Sequence, residues 1–545
     1  MIDIPPPKSI DELEALIIDD NTLIHDTVMT AFLDVGVRKI KSAENAYYAL
    51  RLCENHRFDF VLIAFNVKSD KDGFHLLEEM KLKGYVNHKT SVIFLSADTH
   101  QELVNCIVEL QPDDFWVKPL IVSNIKKRLT YLLNVKRKLH KLLHCLEQKE
   151  YSAAIYYAQR QLLDPALKDY YPRINRIIGD CLMQLNEISD AEKFYRDLTN
   201  KYSHAWVSIG LVRSLLKQDK MQEANDLIDG MLQRVDTRFA TYDMLASYHI
   251  EHENYEAAYE QIKLATALAP RNIERNKKSL DLARLNHDTI GQYQASQNMA
   301  KYAKNSIHDS PELQLNVIRA GIDLATNLSS NESATLMQKI EKQIVAFEQD
   351  AKLALQMAEQ LHIIKIRMLN VKNDKKTAEQ MLDKHVTAKP FTSLEDNLDK
   401  VKAYHELGHR ERCKSLLAHI KQQIAGDNFS SHVVSEYIEQ ESVEREEIMF
   451  TAKELKEMAA TNYKHKRYDP AFQNLAQALT LSPTSKQIAL SLLKVLSHKS
   501  EQGRLDNDEL SMVEKCKEML EQAKLPKDQI AKRDEYLTIL ASQLS

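Results

Sequence analysis

Two kinds of sequence follow one another in this chain. Together they predict a multidomain protein: an N-terminal α/β domain on a five-stranded parallel sheet, then an all-α solenoid of helical hairpins. The first observation is a set of five short apolar runs, LEALIID, RKIKSA, DFVLIAF, SVIFLSA and DFWVK, spread from Leu13 to about Arg128. Stretches of helical periodicity such as HDTVMTAFLDVG and FHLLEEMKLKG separate them, and strands alternating with helices imply a parallel sheet covered on both faces. The second observation is that no further strand-like run appears after Pro119. The third is glycine: 11 in 545 residues is about 2%, against a usual ~7%. Few positions are therefore expected to need a positive φ, and most of the chain is expected to be helical.

In a parallel sheet, ligands sit beyond the carboxyl ends of the strands, near the point where the strand order reverses. The residues at those ends are Asp19 and Asp20 after the first run, Ala64 at the end of the third, Ser96 at the end of the fourth, and Lys118 with Pro119 after the fifth. Two adjacent carboxylates suit a hard, oxygen-loving ion such as Mg²⁺. A lysine opposite supplies a point charge for an anion.

Between Pro119 and Pro165 there is neither Gly nor Pro, and Ile121, Ile125, Leu129, Leu132, Val135, Leu139, Leu142 and Leu146 recur at spacings of three or four. This predicts that the last helix of the first domain runs into the first helix of the second, with Lys136 to Lys138 as the place for a break. The basic runs Lys126 to Arg128 and Lys136 to Lys141 read as the wet side of that helix.

Aligning QKEYSAA, QLNEISDA, KQDKMQEA and EHENYEAA puts their final alanines, Ala154, Ala191, Ala224 and Ala258, 37, 33 and 34 residues apart. That is the period of a helix-turn-helix solenoid. Around Ala258 the pattern adds Ala246, Tyr255 and Pro270; around Ala191 it adds Gly179, Ile188 and Tyr195; near the C-terminus it recurs as Ala459, Tyr468, Ala471, Ala478 and Pro483. Small residues let paired helices approach and large ones fill the space between units. These residues resemble tetratricopeptide (TPR) repeats. From about Arg271 to Glu446 the pattern fades, with NDKKTAEQML around Ala378 and LGHRERCKSLL around Cys413 as single turns of the same kind. The expected organisation is a leader over 1–12, the α/β domain over 13–130, repeats over 131–300, degenerate helical repeats over 301–446, and a C-terminal repeat with capping helices over 447–545.

The α/β domain is similar to a response-regulator receiver domain, which implies a flavodoxin-like sheet. That resemblance assigns Asp19 and Asp20 to the metal-binding acidic pair, Ser96 to the hydroxyl that contacts the phosphoryl oxygen, Lys118 to the lysine that pairs with it, and Phe115 to the switch aromatic. It also places the phosphoacceptor at Ala64, five residues after Asp59, and a methyl group is no nucleophile. The loop NVKSDKDG is one residue longer than the family's and lacks its proline. Asp70 and Asp72 in that loop are the alternative acceptors. Without the third carboxylate only weak Mg²⁺ binding is expected at Asp19 and Asp20, the carbonyl of Asn66 adding one ligand. The competing reading keeps Asp19, Asp20, Ser96 and Lys118 as a local charge cluster with Lys118 neutralising the acids.

On the repeats, first-helix positions line a concave face. Arg173, Arg176 and Asp180 then fall beside Trp206 and Arg213, a set that suits a peptide of acidic character. Alternatively Trp206 packs between helices and the arginines are solvated. The lysine and asparagine set of the carboxylate clamp is absent.

Composition narrows the function classes. A net charge of -5 gives no global basic field for nucleic acid. Six scattered cysteines form no CxxC pair and no Cys/His cluster, and are expected to be buried apolar residues in a reducing cytosol. The start MIDIPPPKSIDE lacks a signal-peptide pattern, and no window reaches the roughly 20 apolar residues of a membrane helix. Nothing marks an independent enzyme. The expected protein is a cytoplasmic, non-catalytic signalling adaptor of a two-component phosphorelay, similar to receiver-plus-repeat auxiliary regulators of the VieB type. Its pseudo-receiver would meet a histidine kinase or a receiver partner, and its repeats a second protein. The alternatives are a regulator phosphorylated on Asp70 or Asp72, and an assembly scaffold with a structural cap domain.

Overall fold

The computed structural model describes residues 4–67, 71–97, 100, 104–106, 109–372, 374–424, 429–447, 452–483, 485–501, 503–523 and 525–544. It forms two compact units, Met1–Arg275 with Lys301–Asp309, and Asn276–Ala300 with Ser310–Ser545. Among the described residues no helix is long and apolar enough to cross a membrane.

The first unit opens with the sheet. Strands β1 (Glu14–Ile18), β2 (Lys39–Ala43), β3 (Phe60–Ala64), β4 (Ser91–Ser96) and β5 (Asp114–Val117) are all parallel, in the order β2-β1-β3-β4-β5. This is the flavodoxin-like order, with its reversal between β1 and β3. Because side chains alternate across a strand, Leu16, Ile18, Val61, Ile63, Val92 and Phe94 face one apolar layer, with Leu76, Leu77 and Met80. Ala15, Ile17, Phe60, Leu62, Ala64, Ile93 and Leu95 face the other, with Val28, Phe32, Ile125 and Leu129. The covering helices are α1 (Thr22–Asp34), α2 (Ala46–Asn55), α3 (Gly73–Leu82) and α4 (Val122–Lys138). Asn21, Asn45 and Asp72 cap the first three by accepting from Leu23, Tyr48 and His75 backbone N–H groups.

The joint after α4 is nearly continuous. Leu139 interrupts the helix at ψ 14°, one residue past the expected stretch, and His140–Glu147 resumes it. The ladder carries across, from Leu139 N–H to Val135 O and from Leu143 N–H to Leu139 O, both 2.9 Å. Lys126, Lys127, Arg128, Arg137, Lys138 and Lys141 are exposed as expected. Lys136 is a correction: it is half-buried, donates to the carbonyl of Lys89, and lies 4.9 Å from the Phe60 ring centroid. Burial lowers its pKa to about 8.

Seven of the helical hairpins share one turn. Lys149, Asn186, Asp219, Glu253, His287 and Lys466 all sit at φ between 52° and 62°, and Gly408 at 79°. The residue after each donates its N–H five positions back: Glu150 to Cys145, Glu187 to Leu182, Lys220 to Leu215, Asn254 to His249, Asp288 to Ala283, His409 to Tyr404, Arg467 to Asn462. This is a Schellman closure, which satisfies carbonyls that a helix end leaves free. The same residue then accepts from the fourth one on, which is Ala154, Ala191, Ala224, Ala258, Gln292, Cys413 or Ala471. Asp374 repeats the pattern, donating to Leu369 and accepting from Ala378. The periodic alanines therefore mark a fixed place one turn into each second helix, all fully buried.

Positive φ is rare, with eleven positions among the described residues, eight of them Gln, Lys, Asn, Asp, Glu or His rather than Gly. The hairpin unit continues where the sequence pattern fades, with its turns at His287, before Asp374 and at Gly408. All six cysteines are buried and free, as expected of apolar packing residues.

Close packing is sharpest at Tyr195. A Cβ on Gly210 would lie 2.2 Å from its ring, and one on Gly179 2.4 Å from its hydroxyl. Gly210→Ala is expected to lower unfolding free energy by about 1–3 kcal/mol in urea, and Tyr195→Leu to recover part of the loss. A full-strength Gly210→Ala protein would show that the ring can move.

Lys136 gives a second expectation. Its folded pKa of about 8 lies below the ordinary 10.5, so between these values the unfolded chain holds more protons and wild-type stability rises with pH. Lys136→Met is expected to be the more stable protein at pH 7, with the gap shrinking towards pH 10.5. Denaturation midpoints at the two pH values measure this, and a gap that does not depend on pH contradicts the burial argument.

Candidate functional site

The carboxyl edge of the sheet gathers the sequence-identified residues. Asp19 follows β1, is fully buried, and has Lys118 Nζ 2.6 Å from Oδ2. Its Oδ1 accepts from Asn21 N–H at 3.0 Å, and its carbonyl pairs with His25 Nε2 at 2.5 Å. Asp20 is exposed. Ser96 is buried at the end of β4. Its carbonyl accepts from Lys118 N–H at 2.8 Å, just before the cis Lys118–Pro119 bond.

Ala64 ends β3 and is buried in the apolar layer. The chain returns tightly beside it: Gly73 N–H donates to Phe65 O at 2.7 Å, and a Cβ on Gly73 would lie 2.3 Å from Ala64 O. Only a residue without a side chain lets α3 begin so close to the strand end. No acyl phosphate can form on the Ala64 methyl group.

The donor set falls short of a tight magnesium site. Mg²⁺ demands near-octahedral oxygen ligands, whereas Asp19 is already paired with Lys118 and Ala64 contributes no oxygen from its side chain. Among the described residues no group of three or more His, Cys, Asp or Glu side chains is placed to hold a metal ion.

Of the loop acids, Asp70 lies outside the described residues. Asp72 has both oxygens engaged: Oδ1 accepts from His75 N–H at 3.0 Å, and Oδ2 from Arg271 at 2.8 Å. Phe115 is partly buried against the layer that holds Phe94 and Cys106, and its carbonyl accepts from Arg128 at 2.9 Å.

Residues 15–130 match the family model described as the response regulator receiver domain. These residues are a receiver domain. The chemotaxis protein CheY-3 of Vibrio cholerae serotype O1 is 23% identical over 117 residues, covering 22% of this chain and 88% of that protein. Among solved structures, the chemotaxis response regulator CheY4 of Vibrio cholerae is 21% identical, over 22% of this chain and 98% of that one, with a TM-score of 0.20. The receiver domain of Francisella response regulator 1452 is 24% identical, over 22% and 96%, also with a TM-score of 0.20. A receiver domain places the chain in two-component signalling.

The receiver meets the arginines that sequence reading assigned to a peptide. Arg173 donates to Asp113 Oδ1 at 2.5 Å, and Arg176 to Gln111 Oε1 at 3.0 Å. Trp206 is partly buried among the rings of Tyr195, Tyr202 and His204, while Arg213 stays exposed. Two of the four candidate residues thus hold the receiver's own edge. Arg271 and Arg275, which carry no periodic signature, do the same and were not legible in the sequence. Only Asp72, as a loop acid without an assigned partner, hinted at them.

The second unit contains a buried ionic lattice that the sequence did not announce. Helix Leu394–Glu406 carries Glu395, Asp396, Asp399, Lys402 and Glu406. Arg319 reaches Asp396 at 2.5 Å and Asp399 at 3.3 Å; Arg367 reaches Asp399 at 2.7 Å, Asp323 at 2.6 Å and Glu406 at 3.0 Å. Burial pushes the Asp323 carboxyl up, but Lys402 and Arg367 outweigh it and hold it below the usual carboxylate range. A cavity of about 420 Å³ beside the lattice is lined by Arg367, Asn370, Lys402, Glu406 and Tyr437 among others. Removing one arginine would strand several buried carboxylates, so the lattice fixes how these helices stack more than it adds stability.

Proposed function

We propose that the chain is a non-catalytic signalling adaptor of a two-component pathway. Its receiver acts as a pseudo-receiver that docks a histidine kinase or a receiver partner, and its hairpins act as TPR-type repeats that hold a second protein. The observation that carries this reading is Ala64 at the acceptor place, with Lys118 turned onto Asp19 where a phosphoryl group would need it. Magnesium binding at Asp19 and Asp20 is weak on this reading, and the protein works in the cytoplasm with its kinase.

Recognition then rests on shape. Leu23, Val117 and Ile121 surround the carboxyl edge and are 68%, 48% and 59% exposed; apolar side chains left in water beside Asp20 suit a helical partner surface. The scaffold alternative draws support from the arginine contacts that fasten the receiver to the repeats. The phospho-switch alternative is left to Asp70, since both oxygens of Asp72 are occupied.

Incubating the full chain with acetyl phosphate and Mg²⁺ is expected to leave its intact mass unchanged. A gain of one phosphate would refute the non-catalytic reading.

Affinity capture with the full chain is expected to retain the pathway's histidine kinase or a receiver protein, and Leu23→Glu with Ile121→Glu to lose it. Capture of neither class by the wild-type chain would count against the adaptor reading and in favour of the scaffold.

A further inference from the structure

Where helix Tyr255–Leu268 ends, the chain bends through residues 269–272 before helix Ile273–Leu285, and this bend with the helical turn after it lies against the receiver. Ala269 is fully buried in the receiver's own apolar layer with Phe74 and Cys106. The Leu268 carbonyl accepts from Asn105 Nδ2 at 3.2 Å. Arg271 donates to Asp72 at 2.8 Å while its guanidinium stacks between the rings of Phe65 and Tyr302, 5.3 and 5.5 Å from their centroids. Asn272 donates to Glu109 at 2.6 Å. Arg275, only 4% exposed, joins Glu109 to Asp243 of the hairpin at 2.6 Å and donates to Ala269 O at 3.0 Å. Arg173 and Arg176 extend the seam to Asp113 and Gln111.

The receiver side of this seam begins at the strand end that bears Ala64. Phe65 is the next residue, and Asp72 closes the same loop while capping α3. Moving Asp72 therefore removes a partner from Arg271 and a cap from α3 together. Arg275 is so buried that it is tolerable only while its carboxylates stay in place. Packed contacts of this kind switch between arrangements and do not deform gradually.

We propose that this seam is an intramolecular latch. It ties Phe65, beside Ala64, and Asp72, at the start of α3, to the bend at 269–272 and to Arg275, so that displacement of Asp72 is passed to the helical hairpins without phosphate chemistry. While latched, Asn105, Glu109, Gln111 and Asp113 are held within the chain and closed to other proteins, and the edge around Asp20, Leu23 and Ile121 is the open one. The latch rests on contacts within one chain and holds whichever protein the receiver meets.

The test is amide hydrogen exchange on the full chain, comparing wild type with Asp72→Ser and with Arg271→Ala. Serine keeps the α3 cap but gives up the ion pair to Arg271. Asp72→Ser is expected to quicken exchange in 268–275 by about ten- to a hundredfold, as loss of a charged hydrogen bond does, with helix Tyr171–Gln184 unchanged. Arg271→Ala is expected to quicken exchange reciprocally at 71–76. Unchanged exchange in 268–275 for Asp72→Ser overturns the latch. So does an increase spread evenly over the receiver, which would mean loss of the domain.

Discussion

Seven hairpin turns of the described residues depend on how a short helix ends. Its last carbonyls need donors, and here one residue in the left-handed conformation supplies the geometry for a bond five positions back. Lys149, Asn186, Asp219, Glu253, His287, Gly408 and Lys466 carry that geometry. The residue four on from the donor of that bond is small in six of these turns, Ala154, Ala191, Ala224, Ala258, Cys413 and Ala471, and is Gln292 in the seventh. The hairpins of the first unit bring Arg173, Arg176, Arg271 and Arg275 to acceptors on the receiver.

The receiver carries Ala64 at the end of β3 within an intact five-stranded sheet. Its strands are held by burial on both faces, which does not depend on the chemistry at their ends. Ala64 therefore packs without disturbing β3, and Lys118 turns to Asp19 because an unpaired carboxylate in that position would be costly to bury. The segment after β3 closes on the cap of α3. It ends in Asp72, which is bound to an arginine nearly two hundred residues away in sequence.

Charge does different work in the two units. In the first, four arginines reach receiver acceptors along a partly exposed seam, where pairing decides which surface faces outward. In the second, Arg319, Arg367 and Lys402 are enclosed with Asp323, Asp396, Asp399 and Glu406. Pairing there decides which helices can neighbour one another, since a shift of one turn would leave carboxylates buried without a cation.

The sequence alone determined the five-stranded parallel domain and the helical remainder, which follow from local periodicity. It also put Asp19, Asp20, Ala64, Ser96 and Lys118 at the carboxyl ends of the strands, and the roles given to them came from the resemblance to receiver domains. It did not determine which residues take the left-handed conformation at the hairpin turns, because Lys, Asn, Asp, Glu and His in that conformation leave no compositional mark. It misplaced Lys136 as a wetted residue, since exposure on one helix depends on what packs beside it. The pairings of Arg173, Arg176, Arg271 and Arg275 belong to the tertiary structure alone. An ion pair is chosen by proximity in space, and a guanidinium in sequence looks the same whether it will meet water, a peptide or its own receiver.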